Sequence, residues 1–129
     1  MKENFVTYEQ ALALKELGFD EPCISKFEEN YLCQDEGFDV CNEDTWLTNS
    51  KLHYHKKYCA APLKQQVFRW FTSRYNLASY CLQTNLDGRS YYSIKKLETD
   101  DVIKGYSGFE DSYEKAENEC INILIRLVK

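Results

Sequence analysis

Long apolar segments are absent from this sequence. No stretch approaches the roughly 20 consecutive apolar residues that a membrane-spanning helix needs, and Met1–Gln10 contains no apolar run typical of a secretory signal. We therefore expect a cytoplasmic protein that binds no membrane. Because thiols stay reduced in the cytosol, we expect the six cysteines to be free and mostly packed as small apolar side chains.

Recognisable catalytic motifs are absent as well. The chain has no Gly-x-Ser-x-Gly turn, and its only closely spaced glycines, in Gly105–Gly108, do not form the Gly-x4-Gly-Lys-Ser/Thr loop that cradles phosphates. Acidic pairs such as Glu28–Glu29 fall in predicted turns, where solvated charge is the ordinary explanation, although paired-carboxylate chemistry stays open. We predict no catalytic residues, no enzymatic activity and no cofactor.

One cluster has the residue types that bind metals. His53, His55 and Cys59 lie within seven residues, and imidazole and thiolate suit Zn²⁺. These three are the metal candidates, but no Cys-x2-Cys pair accompanies them, so we predict no metal. Cys59 near His55 is also the one local nucleophile and base, with Lys56 and Lys57 able to lower the pKa of the thiol. No protease-like context surrounds the pair.

The composition is that of a globular protein rich in tyrosine. Hydrophobic residues make up 43% and charged residues 29% of the 129 residues, and ten of the 19 aromatic residues are Tyr. Tyrosine has an apolar ring and a polar tip, so many of these rings can lie at a core margin or an interface. The length predicts a single domain, 1–129.

Charge is distributed unevenly around a net charge of −5. Residues 1–50 carry twelve acids and three bases, residues 51–76 carry six bases and no acid, and residues 77–129 carry nine acids and seven bases. An acidic first third therefore adjoins a basic segment.

Capping and turn signals predict the order α-β-β, loop, α-β-β, α. A capping box at Thr7–Gln10 begins a helix that ends near Leu17, with Gly18 supplying the left-handed residue. The cap of the last helix is predicted at Asp111. The other predicted elements are strands at 23–27 and 31–34, a loop over 35–61 with one strand near 45–47, a helix at 62–75, a hairpin of strands 78–84 and 90–97, a loop with Gly105 and Gly108, and a last helix to about 128.

Within this order, alternation predicts one apolar face for the hairpin, carrying Tyr80, Leu82, Tyr92 and Ile94. The predicted fold class is α+β, an antiparallel sheet of four to five strands with helices on one face. Two α-β-β units, about 5–34 and 62–97, precede a closing helix at about 112–128 and suggest a weak internal duplication.

Several segments of the chain are similar to one group of proteins. These segments are Thr7–Cys23, Ala61–Leu63, Gln66–Phe71, Tyr75–Leu77, Tyr113–Glu117, Cys120 and Leu124–Ile125. Over its N-terminal fifth and much of residues 61–129, the chain resembles short uncharacterised proteins of gut Bacteroidetes and their phages. The resemblance implies a phage or prophage accessory gene whose product acts in a bacterial host cytosol, and it brings no activity, cofactor or substrate.

The basic, aromatic segment 51–76 is the main functional signal. Within its helix, Lys64, Arg69 and Arg74 share no face, while Trp70 and Phe71 lie on the apolar side and are expected in the core. A smaller patch at 51–58 remains, which could contact a partner or phosphates. Its residues are Lys51, His53, Tyr54, His55, Lys56, Lys57 and Tyr58.

Three interpretations of this patch stay open. The acidic first third of the same chain could neutralise it, an acidic surface of a host or phage protein could bind it, or nucleic acid could pair its cations and stack on its rings. From the missing catalytic motifs, the small size and the split charge, we expect a non-enzymatic protein that binds another protein. The alternative is a nucleic-acid-binding accessory protein.

Overall fold

The first helix begins where the sequence places a capping box. In the computed structural model, which describes residues 2–33, 46–83, 89–98 and 102–129, the Gln10 amide donates to Thr7 Oγ1 (3.2 Å) and the Thr7 amide donates to Gln10 Oε1 (2.9 Å). Helix α1 covers Tyr8–Glu16. Gly18 follows it with φ at +94°, a left-handed conformation that favours glycine. These predictions are confirmed.

Residues 1–63 form one of two compact units. Besides α1 and a 3-10 helix at Lys2–Asn4, this unit contains strands β1 (Ser25–Glu28), β2 (Tyr31–Cys33) and β3 (Tyr58–Ala61). β1 is the central strand and is antiparallel to both neighbours, in the order β2-β1-β3.

Strand β3 replaces the end of the predicted 35–61 loop. Its sequence is short and apolar, and Cys59, Ala60 and Ala61 are buried. The strand expected near 45–47 is reduced to one bridge, in which Leu47 exchanges two backbone hydrogen bonds with Cys23 (2.7 and 2.8 Å). Residues 35–45 of the predicted loop lie outside the described residues.

Residues 64–129 form the second unit. Helix α2 (Lys64–Tyr75) precedes strands β4 (Leu77–Gln83), β5 (Ser90–Lys96) and β6 (Val102–Glu110), and helix α3 (Tyr113–Val128) ends the unit. The three strands form an antiparallel meander in chain order. Helix α3 packs against all three strands, and α2 packs against β4 and α3.

The α+β class is therefore confirmed, but the single sheet of four to five strands is wrong. The described residues form two antiparallel sheets of three strands each. Strand β6 occupies a segment that was predicted as a loop. That prediction relied on the two glycines of the segment, Gly105 and Gly108. Gly108 pairs with Tyr92, and a Cβ there would lie 2.7 Å from the tyrosine hydroxyl, so the glycine accommodates the neighbouring ring.

The predicted apolar face of the hairpin is also wrong. Cys81 pairs with Tyr92 and Ser79 pairs with Ile94, so Tyr80 and Leu82 point to the opposite face from Ile94. Ile94 is fully buried, whereas Leu82 is 64% exposed. The error is one of register, since a shift of one residue reverses every side chain.

The closing helix is confirmed, with one correction at its start. Ser112, not Asp111, caps the helix, because its hydroxyl accepts from the Lys115 amide (3.2 Å). Trp70 and Phe71 are buried as expected. The buried apolar residues of α3 are Ala116, Cys120, Ile121, Ile123, Leu124 and Ile125.

Both units contain a helix followed by three strands, but their topologies differ. The first strand is central in residues 1–63, whereas the second strand is central in residues 64–129. A shared element order therefore does not extend to a shared strand order. In the described part of the chain, no helix has the length and apolar character to cross a membrane.

Candidate functional site

The predicted patch at 51–58 is a series of turns that leads into β3, here called the basic turn. Its first turn is closed by Thr48, whose hydroxyl accepts from the Lys51 amide (3.1 Å). The Leu52 amide donates to the Thr48 carbonyl (3.2 Å), and the Tyr58 amide donates to the His55 carbonyl (3.1 Å). The backbone of the basic turn is thus held by local hydrogen bonds.

Two buried residues attach the basic turn to the core of its unit. Leu52 is 2% exposed. Asn49 is also buried, and its side chain donates to the Phe19 carbonyl (2.6 Å) and accepts from the Ala60 amide (2.8 Å). One amide side chain therefore links the turn to Phe19, shortly after α1, and to β3. These two hydrogen bonds fix the position of the exposed residues of the turn.

The structure exposes most of the predicted site residues. Tyr58 is half-buried and lies at the start of β3. Six residues of the basic turn are exposed, and the Tyr54 ring is 65% exposed. These six are Lys51, His53, Tyr54, His55, Lys56 and Lys57.

Neighbouring groups hold some of these side chains. Lys51 Nζ donates to the Trp46 carbonyl (2.8 Å), and Lys57 Nζ lies 3.6 Å from Glu29 Oε1. The latter pair is exposed on both sides, so it contributes about 0–1 kcal/mol. The Lys56 ammonium group has no ion pair or hydrogen bond within the described residues. Acidic residues of the described first third therefore neutralise the basic turn only in part.

Two lysines that sequence reasoning missed join this surface from other elements. Lys15 of α1 donates to the carbonyls of Lys56 (3.4 Å) and Tyr58 (2.8 Å). Lys26 of β1 places its ammonium group 5.4 Å from the centre of the Tyr58 ring. The α1–β3 packing and the β1–β3 pairing bring them there, and no local sequence signal could have found them.

The aromatic side chains of the basic turn contact each other. The His55 ring stacks on Tyr58, with centres 4.2 Å apart and planes 18° apart. Tyr54 meets Tyr58 edge-on at 5.7 Å. Because His55 and Lys26 already contact the Tyr58 ring, this ring is not an open platform for stacking a base.

Cys59 is unsuited to the nucleophilic role considered from the sequence. It is fully buried in β3, and burial raises the pKa of its thiol to about 11, although the charge of Lys15 lowers it in part. Such a thiol is almost wholly protonated at neutral pH. Within the residues that the structure describes, no three His, Cys, Asp or Glu side chains are grouped to hold a metal ion, and this includes His53, His55 and Cys59.

A second cluster lies inside the unit formed by residues 64–129. Cys120 of α3 is fully buried, and Cys81 of β4 is half-buried on the face of the sheet that carries Ile94. Lys64, the first residue of α2, is 2% exposed and places Nζ 3.8 Å from Glu117 Oε1. The other Glu117 oxygen accepts from Gln65 (3.4 Å). Sequence reasoning expected packed thiols, but no local pattern relates Lys64 to Glu117, which only tertiary packing brings together.

The outer face of the sheet of residues 64–129 carries apolar side chains across all three strands. Leu82, Tyr91 and Phe109 are direct neighbours in register, and Leu82 and Phe109 are 64% and 56% exposed. The Tyr91 and Phe109 rings contact edge-on at 4.4 Å. Exposed apolar rows of this kind occur at protein interfaces.

The five cysteines within the described residues are all free thiols, which agrees with expectation. No protein-family model, no curated protein and no solved structure matches this chain.

Proposed function

We propose that this chain is a non-enzymatic protein that binds another protein, and that the basic turn contacts an acidic segment of that partner. The observation that carries the proposal is a set of exposed cationic and aromatic side chains on a backbone held by Leu52 and Asn49. A fixed surface loses less conformational entropy on binding than a mobile loop does.

Charge defines the chemistry of the partner. Lys56 is available, Lys57 has an exposed and readily exchanged pair with Glu29, and Lys15 adds positive charge beside them, whereas Lys26 is paired with Glu28 (3.1 Å). Carboxylates of a partner would complement this surface and speed association. The exposed Tyr54 ring offers an apolar anchor, and tyrosine is enriched at such positions.

Ring geometry favours a protein partner over nucleic acid. A single strand binds through successive bases stacked on open aromatic faces, whereas His55 and Lys26 already engage the Tyr58 ring. Among the tyrosines of the basic turn, Tyr54 is the exposed one, at 65%, and the exposed His55 ring is already stacked on Tyr58. We also propose, from the sequence resemblance, that the gene is a phage or prophage accessory gene whose product acts in a bacterial cytosol.

Capture from a nuclease-treated lysate of a gut Bacteroidetes bacterium tests the proposal. The turn variant combines Tyr54→Ala, Lys56→Gln and Lys57→Gln, and the control variant changes Lys96 and Lys115, two exposed lysines of the other unit, to Gln. We expect a protein captured by the parent and the control but lost from the turn variant. The purified partner should then bind the parent more weakly as salt rises.

Two results would overturn the proposal. One is capture by the parent from an untreated lysate but not from the nuclease-treated lysate, combined with salt-sensitive binding of a labelled single strand or duplex. This result would favour nucleic acid as the partner. The other is a set of captured proteins that is the same for the parent and the turn variant.

A further inference from the structure

We propose that two copies of this chain associate through the outer face of the sheet of residues 64–129 and form a reversible dimer in which the two sheets pack against each other. The proposal is independent of the basic turn and of its partner. It assigns a second interaction surface to the other unit of the chain.

Strand register defines which side chains belong to the outer face. Ile94 of β5 points to the inner face, which α3 covers, so Tyr91, three residues earlier, points to the outer face. Leu82 and Phe109 are the register partners of Tyr91 on β4 and β6 and point the same way. The strand side chains described on the outer face are Ala78, Tyr80, Leu82, Tyr91, Ser93, Lys95 and Phe109.

The outer face is apolar, although a sheet that is covered on one side usually has a polar open face. Seven large apolar side chains are exposed within the described residues, and three of them, Tyr80, Leu82 and Phe109, are on this face. Their exposed fractions are 44%, 64% and 56%. The Tyr91 ring contacts the Phe109 ring at 4.4 Å, which makes the row of Leu82, Tyr91 and Phe109 continuous across the three strands. An apolar row of this kind is stabilised when a second surface covers it.

Charge on the outer face is sparse. Lys95 is the one charged residue among the seven strand side chains, and its Nζ lies 5.0 Å from the centre of the Tyr80 ring. Arg89, which precedes β5, adds a cation at the margin. A charged partner would find few complementary groups here, in contrast to the basic turn. A flat, uncharged row is instead complementary to an identical row, and a second copy of the chain brings that row with it.

Charge also selects the orientation of the two copies. In a dimer with twofold symmetry, the axis can run along the strands or across them, along the row. An axis along the strands would put Lys95 opposite Lys95 of the second copy, across about 10 Å between the sheets. An axis along the row puts Leu82, Tyr91 and Phe109 each opposite its own counterpart. It also places the two Lys95 side chains at opposite ends of the interface, because Lys95 lies about 14 Å along β5 from Tyr91.

The area of the outer face makes this dimer a weak one. Three strands about 4.8 Å apart give a width of about 14 Å, and the register pairs of β4 and β5 give a length of about 24 Å. Two copies therefore bury at most about 700 Å² in projection, whereas stable complexes bury about 1,200 Å² or more. We expect a dissociation constant on the order of 100 μM. A permanent partner would need a larger surface than this face provides.

Sedimentation equilibrium of the full chain tests the proposal. At a few micromolar, the average mass should be that of the monomer, 15.2 kDa. It should rise towards twice that value as the concentration passes about 100 μM. Added sodium sulfate should strengthen the association, because apolar burial drives it. Association of the basic turn with acidic residues of another copy would instead weaken as salt rises.

Leu82 is the position for a specific variant, because it is exposed on the edge strand β4 and its replacement leaves the core intact. Leu82→Glu places a carboxylate opposite its own counterpart, so the dissociation constant should rise by at least about tenfold. Leu82→Lys should be monomeric for the same reason. An equimolar mixture of the two variants should regain the dimer, since opposite charges then face each other. The matched control is Tyr31→Ser, which removes an exposed ring from the other unit and should associate like the parent.

Three results would overturn the proposal. The first is a parent that stays monomeric well above about 100 μM. The second is an association that falls with added salt, or one that Leu82→Glu and Tyr31→Ser weaken equally. The third is a mixture of Leu82→Glu and Leu82→Lys that stays monomeric. Circular dichroism establishes that each variant is folded, and should a variant fail to fold, the mass of the parent and its salt dependence decide the question.

Discussion

Leu124 and Leu82 form a matched pair for testing the packing of the unit formed by residues 64–129. Leu124 on α3 is fully buried, whereas Leu82 on β4 is 64% exposed on the outer face of the sheet. The same substitution, Leu→Ala, removes the same atoms at both positions. Most of the difference between the two variants therefore reports burial, since the helix and strand propensities of Leu and Ala contribute less than the loss of buried contacts.

The expected magnitudes differ several-fold. Removing three buried carbons from Leu124 costs roughly 2.4 kcal/mol of transfer free energy, and the cavity left behind raises the loss to about 3–4 kcal/mol. Leu82→Ala should change stability by no more than about 0.5 kcal/mol. Leu124→Asp should cost still more, since it buries an unpaired charge. These losses compare with a total stability of about 5–15 kcal/mol.

Urea unfolding followed by circular dichroism measures these values. With a slope near 2 kcal/mol per molar, Leu124→Ala should lower the midpoint by roughly 1.5–2 M and Leu82→Ala by at most about 0.25 M. Equal shifts for the two variants, or a Leu124→Asp protein that melts within a degree or two of the parent, would refute the burial of the α3 stripe.

Three further predictions concern single positions. Gly18→Ala should lower the unfolding free energy by about 1 kcal/mol in urea titrations, because φ is +94° while the space for a Cβ is open. Asn49→Asp removes the donor to the Phe19 carbonyl and should cost about 1–3 kcal/mol, whereas an exposed Asn would tolerate the change. Burial raises the pKa of Glu117, although Lys64 opposes this, so the stabilising form of Glu117 is the protonated one and the parent should lose stability as pH rises through that raised pKa. Urea titrations from pH 4 to 8 should show that the unfolding free energy of the parent falls with pH and that the unfolding free energy of Glu117→Gln does not. The same pH dependence in both proteins would contradict this prediction.

Local signals predicted the helices well. The capping box at Thr7–Gln10 and the apolar stripe of α3 are properties of neighbouring residues, so the sequence contains all the information they need. The cap of α3 lies one residue later than predicted. Asp111 and Ser112 are both good capping residues, and the extended backbone conformation of Ser112 makes it the cap.

Pairing between distant residues was the part that sequence patterns missed. β3 is four residues long and pairs with β1, about 30 residues earlier, and β6 contains glycines that suggested a loop. The basic turn was predicted as a surface from its composition. The positions of Lys15 and Lys26 beside Tyr58 were not predicted, since only tertiary contacts bring them there.

The strand order β2-β1-β3 has a consequence for synthesis on the ribosome. β1 can form a hairpin with β2 as soon as both have left the ribosome. Its pairing with β3 needs Tyr58 opposite Glu28 and Ala61 opposite Ser25, and these residues are synthesised later. At roughly 5–20 residues per second, one edge of β1 stays unpaired for about 1.5–7 s. The backbone groups along that edge of β1 can then pair with other nascent chains during that interval. A stall in translation between residues 34 and 57 would lengthen it, so codon choice in this stretch should affect the yield of folded protein more than codon choice after residue 64.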